Sequence, residues 1–121
     1  MSALALQRFQ SLLARGPGGN AQDRAWRWEM HRALTGVRDD LTGEQPRVRE
    51  QWLAARGRRV ADERDRLLMR VSAAGSATLH AQDLTELGTD LHRLGSDLAR
   101  HAQRLTDLAW DDVELEIGGS E

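Results

Sequence analysis

Four histidines carry whatever metal or acid–base chemistry this chain offers, because it contains no cysteine and therefore no thiolate ligand, thiol nucleophile or disulfide. Their spacing argues against a shared site. His80 and His101 fall on one helical face but twenty-one positions apart, about 31 Å along a helix axis, too far to hold one ion. His92 falls on an outward position, and His31 lies near Glu29 in sequence but on a different helix face. No Glu-x-x-His occurs, so the carboxylate-bridged di-metal pattern of helical bundles lacks its signature. No serine, threonine or histidine sits in a nucleophile motif. Gly16-Pro17-Gly18-Gly19 lacks the lysine and the preceding strand of a phosphate-binding loop. Neither a cofactor, a metal, a small-molecule ligand nor an enzymatic activity is expected.

His101 differs from the other three because it takes a leucine position in an apolar seam, with Asp97 one turn earlier. The carboxylate favours the imidazolium and burial among leucines disfavours it, so the sign of any pH response stays open at the level of sequence. Trp52 is the expected neighbour across the bundle, and His101→Leu is expected to complete the seam and stabilise the fold near neutral pH.

The seam belongs to a stretch from about Ser76 to Trp110. Written in sevens, its first position reads Leu84, Leu91, Leu98, Leu105 and its fourth reads Leu87, Leu94, His101, Leu108. The fifth position is small throughout, with Ala81, Gly88, Gly95, Ala102 and Ala109. A glycine inside a helix costs roughly 1 kcal/mol against alanine, so Gly88 and Gly95 imply the close approach of another backbone. Asp83, Asp90 and Asp97 line one edge of the seam and anticipate arginines on a neighbouring helix.

The remaining elements follow from period and punctuation. A first helix spans about Ala3 to Arg15, capped by Ser2 and stopped by Gly16. A second, capped by Asn20, carries the stripe Trp26, Met30, Ala33, Leu34, Val37, Leu41 to about Thr42. A third begins near Pro46 and continues through Gly57 to about Ala74, with Gly75-Ser76 as the break before the heptad helix. Eighteen leucines against five valines and one isoleucine favour helix over sheet. The expected fold is all-α, an antiparallel bundle of three to four helices on a long hairpin of the third and fourth. A turn at Ser76 sets Gly57 opposite Gly95, Arg64 opposite Gly88 and Val71 opposite Ala81, with Arg64 reaching Asp83 or Asp90.

Residues 1–110 form the bundle domain in this reading, and 111–121 an acidic tail, disordered or extended. In that tail Asp111, Asp112, Glu114 and Glu116 alternate with Val113, Leu115 and Ile117, a strand-like period that also suits a docking motif. Trp28 and Trp110 fall off the apolar stripes and, with Val113, Leu115 and Ile117, are the candidate partner contacts.

All seventeen basic residues are arginine, and they are unevenly placed: residues 1–70 carry fourteen against nine acids, and 71–121 carry three against ten. An acidic half folding on a basic half cancels the field that nucleic acid would need. Arg56, Arg58 and Arg59 on the third helix remain the best nucleic-acid candidates, interrupted by Asp62, Glu63 and Asp65. No segment approaches 18 apolar residues and no export signal is read, so a cytoplasmic chain without membrane contact is expected.

The expected function is non-enzymatic contact with a protein partner, or a homo-oligomer through the heptad seam. The alternatives are nucleic-acid binding and a secreted helical hairpin. The second alternative comes from general outline, which resembles the small helical-hairpin substrates of the type VII secretion pathway. The turn of those proteins, Trp-x-Gly, has no counterpart at Trp26, Trp28, Trp52 or Trp110, and no tyrosine is present for their C-terminal signal. No residue or role is carried over from them.

Overall fold

A computed structural model describes the backbone of residues 3–18, 21–46 and 48–119 and the side chains of residues 4–18, 23–46 and 48–114. Among the described residues four helices follow in order, α1 (Ala3–Arg15), α2 (Ala21–Gly43), α3 (Ala54–His80) and α4 (Leu84–Gly119), with a 3-10 turn at Gln51–Leu53 leading into α3. Each packs on its neighbour in sequence, and α1 also closes on α4. The result is the antiparallel bundle that the leucine-rich, β-poor composition favours.

α1 ends as its sequence predicts. Gly16 takes a left-handed φ of 67°, and its N–H donates to the Leu12 carbonyl at 3.0 Å, closing the last turn. The expected caps Ser2 and Asn20 lie outside the described residues. Phe9 and Leu12 of α1, the α2 stripe from Trp26 to Leu41, Leu67 and Val71 of α3, and Leu87, Leu91, Leu94 and Leu98 of α4 form the main core. A smaller cluster of Leu53, Val60 and Leu108, flanked by Val48 and Leu105, lies beyond the end of α2.

The hairpin turn does not fall at Gly75-Ser76. α3 continues to His80, and α4 starts only at Leu84. Two local interactions decide this. Asp83 caps α4, its Oδ1 accepting the N–H groups of Thr85 (2.9 Å) and Glu86 (3.3 Å). Gly75 stays helical and buried beneath the His31 ring, whose Nδ1 lies 3.0 Å from the Gly75 carbonyl.

The later turn slides α4 along α3, so the facing pairs become Arg70 with Asp97, Glu63 with His101 and Arg56 with Asp111. The expected pairings of Gly57, Arg64 and Val71 are therefore replaced. Arg64 donates instead to the Glu44 carbonyl at 2.7 Å and pairs with Asp65. At Gly95 the close neighbours are side chains of α1 and not another backbone: a Cβ there would lie 3.2 Å from the Phe9 ring and 3.3 Å from the Leu13 side chain. No close approach occurs at Gly88, where a Cβ would meet nothing within 4 Å.

The third helix begins at Ala54, later than Pro46. Asp112 of α4 is buried and accepts the N–H groups of Arg49 (2.8 Å) and Glu50 (3.1 Å), which draws this stretch out of helix and onto α4. The helical backbone of α4 runs through the acidic residues to Gly119, and Asp111 and Asp112 bind Arg56 and the N–H groups of Arg49 and Glu50 around the start of α3. The strand-like alternation of 111–117 is thus carried on helical backbone. The side chains of Leu115 and Ile117 lie outside the described residues.

Candidate functional site

The heptad seam is spent inside the chain. Leu87, Leu91, Leu94, Leu98, His101 and Leu108 are buried by the other helices, and Leu84 and Leu105 are half-buried. What remains to be explained is the polar group placed within it, together with the apolar groups left outside.

His101 is fully buried, at 0% exposure, between the main core and the smaller cluster. Its two ring nitrogens face opposite carboxylates. Nδ1 lies 2.6 Å from Glu63 Oε1 on α3, and Nε2 lies 2.7 Å from Glu44 Oε2, the residue that follows the last turn of α2. Arg104, one turn further along α4, donates to both oxygens of Glu63, from Nε at 3.1 Å and from Nη2 at 2.5 Å.

The protonation state follows from hydrogen-bond capacity. An ionised carboxylate only accepts, so both imidazole nitrogens must carry protons and His101 is the imidazolium. Burial works against a charged ring, but the bonds to Glu44 and Glu63 outweigh it and hold the His101 pKa above its ordinary value of 6.5. Burial likewise raises both glutamates; hydrogen bonds led by that from His101 outweigh it at Glu44, and those from Arg104 and His101 at Glu63, leaving both below the ordinary 4.5. Glu44, His101, Glu63 and Arg104 thus form a chain of alternating charge running from the bundle interior to its surface.

This arrangement has clear chemical limits. Glu44 and Glu63 bind opposite edges of one ring, so they cannot converge on a single ion. Among the described residues no group of three His, Cys, Asp or Glu side chains is placed to hold a metal. With both nitrogens occupied and the ring sealed from solvent, the imidazole has no lone pair to lend to a substrate.

Sequence reasoning singled out His101 but named the wrong neighbours. Asp97 turns outward to Arg70 (2.7 Å) and Arg100, which hold its carboxyl below the ordinary carboxylate range. Trp52 is 68% exposed and off the ring. Glu44 and Glu63 were missed, although one signal pointed to Glu63. Asp83-Leu84-Thr85-Glu86 reads as a helix start, and placing the turn there brings Glu63 opposite His101.

The other candidates lie outside. Trp28 is 54% exposed on α2, with its ring edge-on to His31, and Trp110 is 63% exposed. Val113 is exposed beside it on α4. Trp52 and Trp110 share one end of the bundle, because Asp111 and Asp112 bind Arg56, Arg49 and Glu50 on either side of Trp52.

Arg56 pairs with Asp111 at 2.7 Å, while Arg58 and Arg59 are exposed. A groove of about 640 Å³ between α3 and α4 is lined by Arg56, Arg59, Arg66 and Arg104 together with Asp62 and Glu63. Its charges alternate along the helices, as on a solvated salt-bridged face.

Comparison of the chain with family models, with curated proteins and with solved structures gave no match. Fold and site together define a helical bundle with an internal ion chain and a tryptophan-bearing end. Among the described residues no helix is long and apolar enough to cross a membrane.

Proposed function

We propose that this chain is a cytoplasmic, non-enzymatic helical bundle that acts by contact with a protein partner. The contact uses its outer surface and leaves the leucine seam inside. The observation that carries this reading is the exposure of three of its four tryptophans. Only Trp26 is buried, with its indole N–H on the Leu12 carbonyl at 3.0 Å. Tryptophan is costly to leave in water and is enriched where interfaces are anchored. Trp52 and Trp110, with Val113, supply two anchors at one end. The seam gives no support to a homodimer, since a second copy would have to displace the chain's own helices.

The test is capture from native lysate by the full chain and by a Trp52→Ala/Trp110→Ala variant that keeps its helicity. A protein held by the parent and lost by the variant is expected. An identical capture profile would remove the reading. Release that steepens with salt and carries nucleic acid would favour the arginine face instead.

A further inference from the structure

Two surfaces of the bundle answer each other in charge and in apolar content. The first is a groove of about 550 Å³ between α1 and α2, lined by the apolar Leu4 and Leu12 and by Arg8, Arg15 and Arg32. Leu4 is 65% exposed, so apolar surface stays open along it. Glu29, the one acidic residue among the described lining, is held by Arg15 at 2.5 Å. Arg8 and Arg32 are exposed and enter no ion pair among the described residues, which leaves the groove with net positive charge.

The second surface is the far end of α4. Residues 105–121 hold six acidic side chains and no basic one. Helical spacing sets Ala109, Trp110 and Val113 in one exposed apolar row, with the exposed Asp107 and Glu114 together along one flank of it. The sequence places Ile117 at the next position of that row. An amphipathic helix with anchors at such spacing is the form that enters an apolar groove. We propose that the α4 end of one copy lies in the α1–α2 groove of a second copy, with the Trp110 row on Leu4 and the carboxylates toward Arg8 and Arg32.

The two surfaces cannot meet within one chain. α1 packs on α4 at Gly95, through Phe9 and Leu13, and α4 is continuous helix from there to Gly119. At 1.5 Å per residue Val113 stands roughly 27 Å beyond that level, on a straight element that does not return to α1. Two α4 ends laid together would bring acid against acid, so the complementary contact is head to tail. The leucine seam stays inside each copy. This inference rests on the reading of the Trp110 end as an interface and names its occupant.

The experiment is sedimentation of the purified full chain across the micromolar range, for the parent, for Trp110→Ala/Val113→Ala and for Arg8→Glu/Arg32→Glu. All four positions are exposed, so both variants should keep the parent's helicity. The parent should associate with rising protein concentration and less strongly in added salt. Each variant alone should bind itself about tenfold or more weakly. The first variant retains an intact groove and the second an intact α4 end, so an equimolar mixture should regain association as a 1:1 complex, which also shows that both are folded. A strictly monomeric parent would overturn the second copy as occupant. So would association unchanged in either variant, or a mixture of the two that stays monomeric. No other protein is present, so these results are distinct from the capture experiment: a monomeric parent leaves the tryptophan end as an interface for a different protein, and a failed capture leaves contact between copies standing.

Discussion

His101 Nε2 lies 2.7 Å from Glu44 Oε2, joining the middle of the longest helix to the residue that follows the second. The contact stands where α2 stops, and beyond it only α3, α4 and the connection remain. An ionic group at this place favours one position of the second helix along α4, since sliding by one turn would break the contact between two buried charged groups.

His101→Leu should therefore destabilise the fold, against the expectation that leucine completes the seam. Removing one partner of a buried ion pair costs about 3–5 kcal/mol. Replacing both, as His101→Leu with Glu44→Met, should recover much of the loss. Chemical denaturation at pH 6 checks both, and a single variant as stable as the parent would refute the burial cost.

Stability should have a plateau in pH with two limbs. The raised His101 pKa means that its contribution is full below about pH 6.5 and is lost as pH climbs through the folded value. The depressed Glu44 and Glu63 values mean that theirs is full above about pH 4.5 and is lost as pH falls through the folded values. Melting curves from pH 3 to 9 should show both limbs, and His101→Leu should flatten the alkaline one. An alkaline limb that survives in the variant would assign it to another group.

The two heptad glycines should respond in opposite directions. Gly88 has open space, so Gly88→Ala should stabilise by about 0.5–1 kcal/mol through helix propensity. A Cβ at Gly95 would lie 3.2–3.3 Å from Phe9 and Leu13, so Gly95→Leu should destabilise by about 1–3 kcal/mol through overpacking. Thermal melts of the pair decide the matter, and equal shifts would contradict the difference in packing.

Asp112→Ala should cost about 1–3 kcal/mol by leaving the Arg49 and Glu50 N–H groups without their acceptor. Asp112→Asn keeps an acceptor oxygen and should lose less. Hydrogen exchange at those two amides is the direct reading, and protection unchanged in Asp112→Ala would assign them another acceptor.

The sequence by itself determined the elements that depend on local period and punctuation. α1 was legible in full, because Leu6, Phe9 and Leu13 share a face and Gly16 supplies the left-handed stop. The α2 stripe and most of the α3 and α4 core positions were legible for the same reason, since a 3.6-residue repeat fixes which side chains share a side. Tertiary structure decided the register. Gly75-Ser76 looks like a break in isolation, but helix continues there because His31 of α2 covers it, while a capping aspartate later in the chain sets the turn. Periodicity gives the face of a helix and is nearly indifferent to sliding along its axis, so the pairing of Glu63 with His101 depended on that one turn. Glu44 was beyond reach for a further reason: it belongs to no periodic element, and its contact with His101 arises from α4 bringing a charged ring to the end of α2.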